Sequence, residues 1–213
     1  MRCIILANGE YGEIESYRKL FRDGDVILCA DGGANYAYEM GVMPAAIIGD
    51  LDSIRPEVKE FYETCPVRFQ KYPPRKDFTD MQLVLSAALE LGAEEIILLG
   101  TLGKRLDHTL ANLYSGIDMV RKGIKLSHYT PKCWVHIINQ DIVIEGRPGD
   151  LVSVLTLTDE AHGVSEVGFE YTPTDATMES SKPYAVSNVL VGQQGTVGVQ
   201  SGILAVFHYI NET

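Results

Sequence analysis

The chain has 213 residues, a formal net charge of −11 at pH 7 and 46% hydrophobic residues. At about 150 residues per domain, this length predicts one or two domains, and the composition is typical of an ordinary globular protein. Binding to duplex nucleic acid requires a basic face, so the acidic charge argues against nucleic acid as a general partner. No run approaches the roughly 20 apolar residues that cross a bilayer, and the chain enters an apolar strand at once. We therefore expect a cytoplasmic protein that does not act at a membrane.

In the first 130 residues, short apolar runs alternate with amphipathic stretches, which is typical of βα units around a parallel sheet. We predict helices at Glu13–Phe21, Ala34–Met40, Pro56–Glu63, Asp80–Leu91 and Asp107–Lys122. The fourth helix has a clear start, because Thr79 can cap it and Gln82, three residues later, can complete a capping box.

After Pro131 the helical period disappears, and short β-branched runs follow one another between turns. We predict strands at Val135–Ile138, Ile142–Ile144, Leu151–Leu157, Val164–Phe169, Ala185–Val191, Thr196–Val199 and Ile203–Tyr209. Such spacing is typical of an antiparallel sandwich or barrel. The predicted fold class is therefore α/β: an N-terminal Rossmann-like domain with a parallel sheet, residues 1–130, followed by a C-terminal all-β sandwich domain, residues 131–213.

Acidic loops follow four predicted strands of the first domain. The loops are Asp31-Gly32-Gly33, Asp50-Leu51-Asp52-Ser53, Lys76-Asp77-Phe78-Thr79-Asp80 and Arg105-Leu106-Asp107-His108. Ligands of an open parallel sheet bind at the carboxyl ends of its strands, so six carboxylates would converge on one crevice. Carboxylates that close stay ionised only beside a counter-ion, and a divalent cation with oxygen ligands is the simplest one. The pattern predicts metal-assisted phosphate chemistry.

The first two loops also have structural interpretations. If the backbone is extended, Asp50 and Asp52 point the same way and can share one cation, with Leu51 turned into the core. Alternatively, Asp52 or Ser53 caps the helix at Pro56. Asp31 and its glycines could form only a tight turn.

The other two loops leave similar alternatives open. Asp80 could simply complement the dipole of its helix. Arg105 could bind phosphate oxygens through its planar fork or form a surface ion pair with Asp107. His108 could be a helix cap, or it could contact a ligand together with Asn112, which lies one turn further on the same face.

Taken in order, these motifs resemble the thiamine pyrophosphokinase family. The resemblance is carried by Ala30-Asp31-Gly32-Gly33-Ala34-Asn35, Gly49-Asp50-Leu51-Asp52-Ser53, Lys76-Asp77-Phe78-Thr79-Asp80 and Gly103-Lys104-Arg105-Leu106-Asp107-His108. Weaker matches follow at Gly168-Phe169-Glu170-Tyr171, Ser187-Asn188 and Gly202-Ile203-Leu204. The family transfers a pyrophosphoryl group from ATP to the hydroxyl of thiamine, giving thiamine diphosphate and AMP. It is a homodimer that holds thiamine between the α/β domain of one subunit and the β domain of the other.

The resemblance implies a role for each matched residue. The Mg²⁺ ligands would be Asp50, Asp52, Asp80 and Asp107, which with Arg105 form the catalytic set. We assign contacts with ATP to Asp31, Gly32, Gly33, Lys76, Asp77, Thr79, Arg105, His108 and Asn112. The thiamine contacts would be Tyr171, Ser187 and Asn188 of the partner subunit's β domain.

Two other classes of function remain open. One is a non-catalytic sensor of thiamine or a nucleotide, and the other is a different Mg²⁺-dependent nucleotide enzyme, such as a nucleotidyltransferase or a phosphatase. Retention of all four acidic loops favours the kinase-like enzyme over the sensor.

Overall fold

The computed structural model describes residues 1–75, 77–103 and 105–210. By their internal contacts, residues 1–115 and residues 116–213 form two compact units. The first unit contains β1 (Arg2–Leu6), a 3-10 helix (Ile14–Leu20), β2 (Val26–Ala30), α1 (Gly33–Met40), β3 (Ala46–Gly49), α2 (Pro56–Glu63), β4 (Arg68–Lys71), α3 (Asp80–Glu90), β5 (Glu95–Leu99) and most of α4 (Leu106–Arg121). Among the described helices, none combines the length and the apolar character that a membrane crossing requires.

The strands of the first unit form a parallel sheet in the order β5-β1-β2-β3-β4. Strands β1 and β5 are almost entirely buried, as expected for strands covered on both faces. Because all five strands run the same way, the loops after β2, β3, β4 and β5 leave from one edge of the sheet. The predicted parallel sheet is therefore confirmed.

Local signals located the helices well. Helix α2 has the predicted bounds, and α3 begins with the predicted capping box, in which the Thr79 hydroxyl accepts from the Gln82 amide and the Gln82 side chain accepts from the Thr79 amide. The first predicted helix is a 3-10 helix, Ile14–Leu20, with no side-chain hydrogen bond at its N-cap. A segment of seven residues without a cap gains little from the α-helical pattern.

The second unit contains two antiparallel sheets, with strand orders β12-β9-β14-β7-β6 and β11-β10-β13-β8. Its strands are β6 (Lys125–Thr130), β7 (Cys133–Ile138), β8 (Ile142–Glu145), β9 (Leu151–Thr156), β10 (Glu160–Val167), β11 (Ala176–Glu179), β12 (Asn188–Val189), β13 (Gln194–Gly198) and β14 (Leu204–Tyr209). One apolar core joins residues of both sheets, among them Val152, Val164, Val197, Leu204 and Val206. This is the predicted sandwich.

The strands of the second unit differ most clearly from the prediction in four places, one of which is β10, Glu160–Val167, where Val164–Phe169 was predicted. Lys125–Thr130 and Ala176–Glu179 form strands that were not predicted, and the predicted strand Ala185–Val191 is reduced to Asn188–Val189. Lys125–Thr130 pairs antiparallel with β7, so the antiparallel region begins before Pro131. The division by contacts falls within α4, between residues 115 and 116, and the domain boundary at 130/131 stays a prediction.

Candidate active site

Asp31 follows strand β2 at the carboxyl edge of the parallel sheet. Its backbone lies in the left-handed region, with φ of 43°, and its amide donates to the Ile48 carbonyl on β3 at 2.9 Å. Two residues later, α1 begins against β1, where a Cβ on Gly33 would lie 2.0 Å from the Leu6 carbonyl oxygen. Only glycine allows this close approach, so the sequence Asp-Gly-Gly holds the buried carboxylate of Asp31 at a fixed place beside the start of the helix.

Asp50 and Asp52 follow strand β3, but the backbone between them is not extended. Leu51 has a φ of 66° and is only partly buried, and the side chain that enters the core is that of Ile54. The predicted extended geometry is therefore wrong at this loop. The two carboxylates nevertheless lie close together, because the left-handed residue turns the chain back on itself.

The capping alternative for this loop is also wrong. Helix α2 has Arg55 at its N-cap, with no side-chain hydrogen bond, and begins with Pro56. The Ser53 hydroxyl donates instead to Oδ1 of Asp52 at 3.0 Å. The polar side chains of the loop are thus not used to start the helix.

Asp31, Asp50 and Asp52 form one group of carboxylates. One oxygen from each lies within 4.8 Å of the others, a spacing that one cation could bridge. Mg²⁺ and Ca²⁺ bind oxygen ligands at about 2.0 to 2.6 Å, so ligand atoms around one ion lie about 3 to 5 Å apart. In the described part of the chain, Asp80 and Asp107 do not belong to this group, whereas Asp31, which the sequence assigned to the nucleotide, does.

The environment of Asp31 fits a bound cation. Its Oδ1 atom is buried and has no hydrogen-bond partner among the described residues. Burial raises the pKa of Asp31, and the charge of Asp50 raises it further. The neighbouring polar groups of Ser53 and Gly32 act in the opposite direction and lower this pKa. An unpartnered carboxylate oxygen beside two other carboxylates is costly unless a cation or a proton joins them, so this set of oxygen donors fits a hard divalent ion.

Asn35 joins α1 to the loop that carries Asp52, a contact that the sequence did not reveal. Its Nδ2 donates to the Ser53 carbonyl at 2.9 Å, and its Oδ1 accepts from the Arg55 amide at 2.9 Å. Arg55 also forms an ion pair with Glu39 of α1 at 2.8 Å. The only available signal was the place of Asn35 in the motif that begins at Ala30, because the partners of an amide depend on tertiary structure.

The third loop places Thr79 and Asp80 at the start of α3. The Thr79 side chain forms the capping box, and Asp80 lies in the first turn, where its charge can complement the helix dipole. Asp77 is exposed. Lys76, which we assign to the nucleotide, lies outside the described residues.

The fourth loop places Arg105 and Asp107 in contact with each other. Both are largely exposed, and two hydrogen bonds join them: Nη2 to Oδ2 at 2.6 Å and Nε to Oδ1 at 3.2 Å. The Arg105 bond lowers the pKa of Asp107 to about 2. His108 is exposed, and the Asn112 side chain donates to the Thr101 carbonyl at 2.9 Å. To make its predicted phosphate contacts, Arg105 would therefore have to leave a surface ion pair with Asp107.

The predicted thiamine residues lie together in the second unit. Tyr171 is 79% exposed, and its backbone is hydrogen-bonded to the buried side chain of Asn188. Ser187 has a φ of 60°, and its amide donates to the Ser153 hydroxyl at 2.9 Å. The buried carboxylate of Glu166 also contacts Asn188, although no motif in the sequence singles it out.

Comparison with known proteins identifies both parts of the chain. Residues 17–128 match the family "Thiamin pyrophosphokinase, catalytic domain", and residues 135–204 match "Thiamin pyrophosphokinase, vitamin B1 binding domain". Thiamine pyrophosphokinase of Bacillus subtilis is 26% identical over 185 residues, which is 82% of each chain. Thiamine pyrophosphokinase 1 of Oryza sativa is 28% identical over 201 residues, which is 82% of this chain and 74% of the relative.

Solved structures show the same fold. The crystal structure of the Bacillus subtilis enzyme has a TM-score of 0.88 at 23% identity, with both chains fully covered. Thiamin pyrophosphokinase from Candida albicans has a TM-score of 0.80 at 17% identity and covers 98% of this chain and 88% of the other. Since the catalytic-domain family alone matches more than half of the chain and the B1-binding family follows it in order, the chain belongs to the thiamin pyrophosphokinase family.

Proposed function

We propose that this protein is an ATP-dependent thiamine pyrophosphokinase, which transfers the pyrophosphoryl group of ATP to the hydroxyl of thiamine and releases thiamine diphosphate and AMP. The observation that carries the proposal is the group of Asp31, Asp50 and Asp52 at the carboxyl edge of the sheet, in a chain with both domains of the family. We expect the reaction to take place in the cytoplasm.

The first domain would hold Mg²⁺ and ATP. Asp31, Asp50 and Asp52 supply the oxygen ligands that the structure brings together, and the family resemblance adds Asp80 and Asp107. The ion, when bound, would neutralise charge on the phosphates of ATP. Including Asp31 in the metal set extends the set that the sequence motifs indicated.

The protein's own part in the reaction would be alignment and charge neutralisation. The thiamine hydroxyl oxygen bonds to the β-phosphorus of ATP while the bond from that phosphorus to the α,β-bridging oxygen breaks, and AMP leaves. Arg105 would offset charge on the phosphates, after exchanging its bonds with Asp107 for bonds with phosphate oxygens. A primary alcohol is a poor nucleophile at neutral pH, so alignment should carry much of the rate, and one of the site's carboxylates would accept the hydroxyl proton.

The second domain would bind thiamine, with Tyr171 and Ser187 nearest to the ligand. The ring of Tyr171 is exposed, as a platform for a cationic thiazolium would need to be. We further propose a homodimer with thiamine held between subunits. Its support, beyond the family resemblance, is an apolar stripe exposed on α4: Leu106, Leu110 and Tyr114, each four residues apart and therefore on one face.

Analysis of the products tests this function against the two alternatives. The purified protein is incubated with thiamine, ATP and Mg²⁺, and the nucleotide and thiamine products are separated by chromatography. AMP and thiamine diphosphate in equal amounts support the proposal. ADP or free pyrophosphate would support a different Mg²⁺-dependent nucleotide enzyme, and thiamine binding without turnover would support a sensor.

A further inference from the structure

The side-chain amide of Asn188 forms four hydrogen bonds, which use its full capacity. Its Oδ1 accepts from the amides of Tyr171 and Val189, each at 3.0 Å. Its Nδ2 donates to the Tyr171 carbonyl and to Oε2 of Glu166, each at 2.7 Å. An amide has two donor hydrogens and two acceptor lone pairs, so none of them is left for a ligand. Asn188 therefore serves to hold the backbone of Tyr171 at both its N–H and its C=O.

Glu166 is an unusual residue to find at the other end of this amide. It lies on β10 opposite Val197 and is only 1% exposed, and it borders the apolar core that includes Val164 and Phe169. Its Oε1 has no hydrogen-bond partner among the described residues. A carboxylate is rarely buried unless it is paired, because burial disfavours its charge. Its hydrogen bond with Asn188 explains why a carboxylate oxygen is found at this buried position.

Glu166 supplies the acceptor that one Nδ2 hydrogen of Asn188 requires. If Glu166 were apolar, one Nδ2 hydrogen of Asn188 would be buried without an acceptor, and that loss would weaken the amide's hold on Tyr171. The opposite orientation of the amide is excluded as well, since it would turn Nδ2 towards the N–H groups of Tyr171 and Val189. Glu166 therefore completes the only orientation in which Asn188 can hold both polar groups of the Tyr171 backbone.

We propose that Glu166 is a positioning residue for the thiamine side of the site, which fixes Asn188 and through it the backbone that carries the exposed ring of Tyr171. Neighbouring contacts favour the same role, because the 168–171 segment is bonded to the 188–191 segment by Glu170 N to Val189 O at 2.9 Å and Val191 N to Gly168 O at 3.0 Å. The ring of Tyr171 thus extends from an anchored backbone. This inference rests on the proposed function only in naming thiamine as the ligand.

The test compares Glu166→Leu, which removes the acceptor at similar size, with Glu166→Gln, which keeps a carbonyl acceptor. Glu170→Gln is the matched control, because Glu170 is an exposed carboxylate of the same segment. Amide hydrogen exchange of Tyr171 and Val189 is measured by NMR on the ligand-free protein. We expect exchange about tenfold faster or more in Glu166→Leu, as the loss of one buried hydrogen bond allows, and nearly unchanged rates in the other two variants.

Steady-state kinetics supplies the functional measurement. We expect Glu166→Leu to raise the KM for thiamine about fivefold or more, with kcat and the KM for ATP within about twofold of the wild type. Glu166→Gln should keep the wild-type KM for thiamine, because it keeps a carbonyl acceptor. Unchanged exchange in Glu166→Leu overturns the proposed hold on Tyr171. Faster exchange with an unchanged KM for thiamine overturns the positioning role.

Two further results need their own interpretation: a variant that does not fold, and a wild-type protein that does not convert thiamine. If Glu166→Leu does not fold, Glu166→Ala removes the same single acceptor without added bulk and must give the same pattern of exchange and KM, or the inference is wrong. If the wild-type protein does not convert thiamine, the proposed function fails, whereas the exchange rates still decide whether Glu166 anchors Tyr171.

Discussion

The guanidinium of Arg105 and the carboxylate of Asp107 form a two-bond ion pair, with Nη2 and Oδ2 2.6 Å apart. Both groups are exposed at the start of α4, where such pairs add little to stability. The pair holds the planar fork in place at the edge of the sheet that carries the acidic group. A phosphate would replace one carboxylate partner by another anion of matching geometry.

Replacement of Arg105 by lysine tests whether this fork binds phosphate. Arg105→Lys keeps the charge but loses the planar pair of donors, so we expect kcat/KM to fall about tenfold or more, equivalent to about 1.4 kcal/mol of transition-state stabilisation. The measurement is the rate of AMP formation at varied ATP. Arg121→Lys, an exposed arginine near the other end of α4, is the control. An unchanged kcat/KM would leave Arg105 as a surface ion-pair partner only.

Replacement of Asp50 by asparagine tests the metal set. Asp50→Asn removes a charged ligand from a hard cation, so we expect turnover to be lost at ordinary Mg²⁺ concentrations while the fold remains intact by circular dichroism. EDTA should stop the wild-type reaction, and added Mg²⁺ should restore it. Asp23→Asn, in the exposed loop before β2, is a matched control. Near-normal activity of Asp50→Asn would remove Asp50 from the metal set.

Gly49 tests the geometry of the acidic group directly. A Cβ on Gly49, whose φ is 155°, would lie 2.9 Å from the Cβ of Asp31. Gly49→Ala should therefore displace Asp31 and weaken Mn²⁺ binding on the order of tenfold, since small displacements in such sites have large effects. Binding is measured by electron paramagnetic resonance of free Mn²⁺. Gly41→Ala is the control, because its φ is 69° but its Cβ would have no contact within 4 Å; equal effects on Mn²⁺ binding would attribute the loss to general strain.

Short-range patterns predicted the fold and the position of the acidic loops. The capping box at Thr79 and the proline at the start of α2 are local signals, and the strand ends follow from apolar runs that stop at glycine or aspartate. Two strands were missed because Lys125–Thr130 and Ala176–Glu179 are largely polar and contain no continuous apolar run, although each pairs with a neighbouring strand in the chain, β7 and β10 respectively.

The details of the site depended on tertiary contacts and could not be read in this way. Leu51 is left-handed, although nothing in its residue type favours that conformation. Asp31 joins the acidic group because β2 and β3 are neighbours, which the spacing of the motifs does not state. In the sequence, Glu166 does not differ from other polar strand residues, and only its contact with Asn188 indicates a role.

Buried histidines predict how the second unit responds to acid. Burial, together with the smaller effect of a neighbouring histidine, lowers the pKa of His128 to about 3 and that of His136 to about 4. The unfolded chain binds protons near pH 6.5, where these folded histidines do not. Their contribution to stability is thus complete above about pH 6.5 and is lost as the pH falls towards 4.

We therefore expect the free energy of unfolding in urea to fall between pH 7 and pH 5, by on the order of 1 kcal/mol for His136 alone. His136→Asn should reduce this dependence on pH, because asparagine does not titrate. His162→Asn is the control, since His162 is exposed. An identical pH dependence in wild type and His136→Asn would show that His136 does not contribute.

The homodimer with shared sites predicts that two inactive variants can restore each other. The acidic group belongs to the first unit, whereas Tyr171, Ser187 and Asn188 belong to the second. A two-fold dimer could bring the first unit of one subunit to the second unit of its partner. Asp50→Asn damages only the metal side, and Ser187→Trp, at the exposed left-handed residue beside Asn188, damages only the thiamine side.

The two variants are mixed under conditions that allow exchange of subunits, and thiamine diphosphate formation is measured. A heterodimer contains one site free of both lesions, so with complete exchange about half of the dimers are mixed and about a quarter of the wild-type activity should return. Each variant alone, treated in the same way, is the control. If the mixture remains inactive although mass spectrometry detects the heterodimer, or if light scattering shows that the active species is a monomer, both sides of the site come from one chain.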